Sequence, residues 1–227
     1  MPLIKVENLI KTFIDGDKET RVLKGIDFTA ESGEWISIMG RSGAGKSTFM
    51  YQMSLLDDST SGEVYLFGKD THNMTAEEKT NLRLSELGYV FQDYALLPDL
   101  TAVENVSVPL MMQGMSKQDA YAKARTSLER VGLGHRLDNL PSQLSGGEQQ
   151  RTSIARALAH GPKILFADEP TANLDNESSR TVMKLFQEVH KQGQTIIMVT
   201  HEEEYSSLSE RIVSLDDGKI VGDKKVK

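Results

Sequence analysis

The strongest chemical signal in the chain lies near position 40. Gly40, Arg41, Ser42, Gly43, Ala44, Gly45, Lys46 and Ser47 fit the spacing G-x-x-x-x-G-K-S/T, with Thr48 next. Glycines let successive main-chain N–H groups curl around phosphate oxygens without Cβ clashes. Lys46 supplies a mobile cation for β- and γ-phosphates, and Ser47 offers a hydroxyl to a divalent cation. The flanks suit the same chemistry. Trp35–Met39 reads as an apolar strand, and residues 46–56 read as a helix whose positive N-terminal end faces the anion. A glycine-rich turn beside a solvated lysine could share the letters. It would not need this strand–loop–helix setting.

A second element ends an apolar run, Ile164 to Ala167, in two carboxylates, Asp168 and Glu169. Ligands of parallel α/β sheets bind at that strand edge. Asp168 is placed to hold Mg²⁺ through water, and Glu169 to polarise an attacking water. Taken alone, such a pair is more often a helix cap or a solvated loop; the lysine loop on the same chain favours the catalytic reading. A third element is Leu144, Ser145, Gly146, Gly147, Glu148, Gln149, Gln150 and Arg151. It places a hydroxyl and N–H donors at the start of a helix over 147–160, either as a second anion site or as an N-cap with a flexible lead-in.

These residues need a scaffold, and composition supplies one. The 227 residues are 38% hydrophobic and 26% charged, enough apolar material for a packed core. Absence of cysteine excludes disulfides and thiolate sites, and the five histidines lack zinc spacing. A formal net charge of -7 argues against direct nucleic-acid binding over a broad surface. There is no apolar run of membrane-spanning length and no signal-peptide pattern at the start, so a cytoplasmic protein is expected.

Residues 3–39 read as strands with a turn at Asp15-Gly16-Asp17. Glu63–Phe67 and Gly88–Gln92 read as further strands, and Thr75 with Glu78 as the capping box of a helix over about 75–86. Helical periodicity covers 101–113, 117–131 and 147–160, broken at Gly114 and Gly132. A buried strand at Lys163–Ala167, a helix at 177–192, a strand at Thr195–Thr200 and a hairpin about Asp216-Asp217-Gly218 complete the pattern. Strands alternating with helices give an α/β core with a mainly parallel sheet and an inserted helical block.

The string at 144–151 closely resembles the signature of the ATP-binding cassette (ABC) ATPases, and further residues stand in the order that family uses. Phe13 matches the aromatic residue that stacks on adenine, although its spacing equally suits half-buried strand packing. Gln92 matches the lone glutamine between core and helical subdomain, and is otherwise a loop amide. Asn173, Leu174 and Asp175 match the loop after the acidic strand, where Asp175 could simply cap a helix. His201 matches the switch histidine, or is a capping or satisfied polar residue. The resemblance spans essentially the whole chain and is nearest to the lipoprotein-release and macrolide-export branch. Arg41, in place of the usual residue after the first loop glycine, is expected to point to solvent. Glu202, Glu203 and Glu204 make the segment after His201 unusually acidic.

The resemblance implies a P-loop NTPase fold over residues 1–227, with a mainly parallel sheet and an antiparallel β subdomain. The catalytic core would cover about 1–92 and 161–227, and the helical subdomain about 93–160. It implies ATP and Mg²⁺ as ligands. ATP would be cradled by Gly40 to Thr48, and the metal held by Ser47, Gln92 and Asp168. Lys46, Glu169 and His201 would be catalytic. Ser145, Gly146, Gly147 and Asp175 would act in trans across an ATP-dependent homodimer. It also implies integral membrane permease subunits as partners, holding the protein on the cytoplasmic face of the membrane. Tyr94, Leu96, Leu97, Pro98 and Leu100 would form the docking groove, unless they are core of the helical insert. The implied work is lipoprotein release or export of peptide- or macrolide-like substrates. The alternatives are a regulatory cassette of cell-division type that moves no substrate, a soluble cassette acting on ribosomes or DNA, and a simple kinase. The kinase leaves residues 144–151 unexplained.

Overall fold

A computed structural model describes residues 1–226. The chain forms two compact units. The first joins Met1–Asn81 to the segment from Gly193 onward, and the second is Leu82–Gln192.

In the first unit, β1 (Ile4–Asp15) and β2 (Lys18–Ala30) make a long antiparallel hairpin that turns at Gly16 and Asp17. After β3 (Trp35–Met39) and α1 (Lys46–Met53), β4 (Ser61–Leu66) pairs with the free edge of β1 and β5 (Lys69–Asp70) follows it. The order β2-β1-β4-β5 is the antiparallel sheet that the resemblance implies. Helix α2 (Ala76–Glu86) leaves this unit, and Thr75 caps it as expected: Glu78 N–H donates to Thr75 Oγ1 at 3.2 Å. The returning chain adds β8 (Thr195–Val199), one turn of helix α7 (Glu203–Ser206), β9 (Arg211–Asp216) and β10 (Lys219–Lys225). β3 runs parallel to both β8 and β9, and β10 closes antiparallel on β9.

Every residue of β8 is buried, as befits an apolar strand covered on both faces. Phe49, Met50 and Met53 bury one side of α1, and the Phe28 ring meets Phe49 edge-on at 5.4 Å. This helix is shorter than the expected 46–56. Leu55 turns left-handed at φ 60°, and Leu56 N–H folds back onto Tyr51 O at 2.9 Å. Because Leu55 rather than glycine makes that reversal, composition hides the helix end.

In the second unit, β6 (Leu87–Val90) and β7 (Ile164–Asp168) are parallel neighbours. Between them lie α3 (Ala102–Met112), α4 (Lys117–Arg130), a 3₁₀ turn at Pro141–Gln143, and α5 (Gly146–Leu158). Val106, Leu110, Ala124, Leu128 and Ile154 are buried where these helices pack together. α6 (Asn176–Lys191) follows β7; His190 and Lys191 in its last turn complement the helix dipole.

Reciprocal caps start three of the helices: Thr75 N–H also donates to Glu78 Oε2 at 2.7 Å ahead of α2, and two further boxes follow. Glu104 N–H donates to Thr101 Oγ1 while Thr101 N–H donates to Glu104 Oε2, and Ser145 with Glu148 repeats the arrangement. These donors, first among them the cap main-chain N–H, hold both glutamates below their ordinary value of 4.5. A lowered folded-state value means stability that is complete above the ordinary value and fades as pH falls through the lowered one. Chemical denaturation between neutral and acid pH should therefore show stability declining below 4.5. The double variant Glu104→Gln with Glu148→Gln should flatten that decline.

Candidate nucleotide site

The first unit carries the phosphate-binding loop. β3 delivers the chain to Gly40, and α1 begins at Lys46. Gly40 is sterically fixed, since a Cβ there would lie 2.2 Å from Leu215 O. The N-cap of α1 is Gly45, at φ 97° with no side-chain cap, so the positive end of the helix opens onto the glycine loop. Lys46 Nζ reaches back across the loop to the carbonyls of Gly40 (3.0 Å) and Arg41 (3.2 Å). Ser47 and Thr48 are half-buried on the first turn, and Arg41, Ser42 and Gly43 are exposed, with Arg41 at the surface as expected. The last hairpin braces this loop. Gly218 N–H donates to Ala44 O at 3.1 Å, and Gly218 O accepts from Lys24 N–H at 2.9 Å.

Parallel register brings His201 to the same sheet edge. Ile38 pairs with Val199, so Gly40 and His201 each leave their strand two residues later. His201 is exposed, and its neighbour Thr200 is anchored by N–H donation to Ile38 O. Phe13 lies on the β1–β2 hairpin and is 45% exposed. Lys11 Nζ stands 4.9 Å from the ring centroid while donating to Asp57 Oδ1 (2.7 Å) and Asp58 O (2.6 Å). A separate polar cavity of about 180 Å³ beneath α1 includes Gln52, Asp57 and Lys79 in its lining and none of the expected site residues.

The second unit gathers the other set. Val90 pairs with Ala167, so Gln92 and Glu169 emerge together beyond the ends of β6 and β7. Asp168 is buried, Glu169 half-buried and Gln92 exposed. Glu169 adopts φ 44°, a left-handed conformation that costs a non-glycine residue about 1–2 kcal/mol. Such strain persists where the surroundings over-determine a functional geometry. Asn173 Nδ2 donates to Gln92 O at 3.0 Å, joining the loops after the two strands.

Ser145, Gly146 and Gly147 open α5 beside this loop. A Cβ on Gly147 would lie 2.6 Å from Ser178 Oγ, so glycine permits the close approach of α5 to α6. Ser145 Oγ accepts from Glu148 N–H at 3.3 Å, and Asp175 Oδ1 accepts from Glu177 and Ser178 N–H. Both are helix caps in this chain, which leaves the hydroxyl proton of Ser145 and the exposed face of Asp175 for other partners. Within its own unit each set is assembled: Gly40 to Thr48 with His201, and Gln92, Asp168 and Glu169 beside Asn173. Sequence reasoning passed over Lys11 and Arg156, and named Asn173 only as part of the loop after the acidic strand. Their partners are an aromatic face and main-chain carbonyls, which no motif spacing announces.

A family model described as "ABC transporter" matches residues 23–172. The chain belongs to this family. The ABC cassette is 46% identical over 221 residues to the lipoprotein-releasing system ATP-binding protein of Aquifex aeolicus, covering 97% of each. It is 45% identical over 224 residues to the macrolide export ATP-binding/permease protein of Agrobacterium fabrum. That match covers 99% of this chain but 35% of the relative, so the cassette spans about a third of such proteins. The fold matches a dimeric ATP-binding cassette solved in a post-hydrolysis state with ADP and Pi, at TM-score 0.92 and 38% identity over 99% of both chains. The α/β architecture and cassette resemblance expected from sequence therefore hold.

Two variants probe the first unit. Gly40→Ala should lower stability by about 1–3 kcal/mol, because the Leu215 carbonyl belongs to a paired strand and cannot retreat. It should also abolish nucleotide binding in equilibrium titration. Lys11→Met removes the cation over Phe13 and should weaken adenine-nucleotide affinity about two- to fivefold, corresponding to roughly 0.5–1 kcal/mol.

Proposed function

We propose that this ABC cassette binds and hydrolyses ATP and transmits the resulting cycle of closure and release to a membrane permease. One observation carries the reading: α1 starts at Gly45 without a side-chain cap, so its positive end and Lys46 both stand at the glycine loop where a phosphate chain would lie. Gly40 to Thr48 cradle the phosphates, and Phe13 offers its exposed ring to adenine.

Ser47, Gln92 and Asp168 supply a hydroxyl, an amide oxygen and a carboxylate. These are hard oxygen donors suited to Mg²⁺, which takes its remaining ligands from phosphate and water. When bound, Mg²⁺ neutralises charge on the β- and γ-phosphate oxygens. Glu169 orients water and accepts its proton, held by its strained backbone at the end of a fully buried strand. Lys46 and His201 stabilise charge on the terminal phosphoryl group.

A facing copy contributes Ser145, Gly146, Gly147 and Asp175, so two-fold pairing gives two equivalent sites from one chain type. ATP then acts as the shared ligand of both surfaces, and its hydrolysis loosens them. The related solved cassette is dimeric, which supports this arrangement. The membrane partner holds the cassette at the cytoplasmic membrane face; no helix among the described residues is long and apolar enough to cross a bilayer. The names of the relatives support lipoproteins or macrolide-like molecules as cargo. Leu97, 46% exposed after the Gln92 turn, belongs to the docking surface rather than to the helical core.

Glu169→Gln should keep ATP affinity and lower turnover by about 10²–10⁴-fold, with ATP-stabilised dimers accumulating in size-exclusion chromatography. Normal turnover in that variant would remove Glu169 from its role. Leu97→Glu should leave the isolated cassette's ATPase rate unchanged and abolish co-purification with membrane proteins in mild detergent.

A further inference from the structure

The main chain directly after Gln92 takes an unusual path. Tyr94 and Ala95 are both left-handed, at φ 64° and 47°. Ala95 N–H donates to Asp93 O at 2.7 Å, closing a three-residue turn about Tyr94. No glycine eases this shape, so something outside the turn must hold it.

Two side chains do so. Arg156, on α5, donates from one guanidinium nitrogen to Ala95 O at 2.6 Å and from the other to Tyr94 O at 3.0 Å. The planar fork of arginine fits two adjacent carbonyls, whereas a lysine ammonium is a compact point charge on a flexible stem. Burial pushes this guanidinium down from its ordinary value. Asn173 acts from the loop after β7: its Nδ2 holds Gln92 O at 3.0 Å, and its own carbonyl accepts from the Tyr94 hydroxyl at 3.3 Å. That hydroxyl also stands next to Gly146, where a Cβ would lie 3.0 Å from it.

We infer that Arg156 and Asn173 are positioning residues that clamp the Gln92 turn and so set where the Gln92 amide is presented to the cation of the bound nucleotide. The inference rests on the reading of Gln92 as a Mg²⁺ ligand. It adds that the helix opening with Ser145-Gly146-Gly147 also grips the turn behind that ligand, through Arg156. A shift of α5 therefore carries the Gln92 turn with it.

The test uses the full chain and a non-hydrolysable ATP analogue, with binding measured by calorimetry without Mg²⁺ and across a Mg²⁺ titration. Hydrogen exchange of residues 93–96 is followed in parallel. Arg156→Ala and Asn173→Ala should each raise the Mg²⁺ concentration for half-maximal tightening by about tenfold or more, the usual effect of removing a partner that orients a metal ligand. Metal-free analogue binding should stay unchanged, and exchange at 93–96 should accelerate. Arg156→Lys should restore part of the Mg²⁺ response. If Arg156→Ala damages the fold and weakens metal-free binding too, exposed Asn173→Ala decides, and an unshifted Mg²⁺ requirement there overturns the clamp. Gln92→Ala separates the two claims. An unshifted requirement in that variant sinks the role of Gln92 itself. A shift in Gln92→Ala but in neither clamp variant sinks only the positioning role.

Discussion

The structure depends on one physical requirement: a phosphate chain needs a helix N-terminus whose positive end no side chain has capped. α3, α4, α5 and α6 each start with a hydroxyl or carboxylate accepting first-turn N–H groups. α1 starts at Gly45 without one. A helix opened behind glycines in this way lets an anion approach the positive end of its dipole. Buried Phe49, Met50 and Met53 anchor that helix, and Gly40 lies too close to Leu215 for any side chain.

Parallel strands carry out the second part of the design. In each unit a pair of parallel neighbours ends in register, so residues distant in sequence leave the sheet at the same edge. Gly40 and His201 do so in one unit, Gln92 and Glu169 in the other. Rigid, buried strands place the chemistry, and the loops beyond them carry the unusual backbone angles. Glu169, Tyr94 and Ala95 are all left-handed just past a strand end.

What was legible in the sequence follows from which constraints act on residue type. The phosphate loop was legible because close approach and positive φ demand glycine. The parallel strands were legible because two covered faces demand unbroken apolar runs, as in Ile164–Ala167 and Thr195–Val199. Helix starts followed from side-chain caps, although the Thr101–Glu104 box was readable and passed over. Neither Arg156 nor the hold of Asn173 on Gln92 was legible, because a carbonyl recipient has the same chemistry at every residue and leaves no mark on spacing. The end of α1 was hidden for a related reason: a leucine occupies the left-handed position that glycine normally advertises. Ser145 and Asp175 show a different limit. Each is a helix cap, and capping is compatible with a further role, so the local pattern could not choose between the readings.

The bridge through Gly218 ties a late hairpin to elements made long before it. Its N–H holds Ala44 of the phosphate loop, and its carbonyl holds Lys24 of the second strand. β8 and β9, which flank β3 on either side, are likewise made late. On the ribosome, then, the phosphate loop waits for the later β9–β10 hairpin before this brace can form.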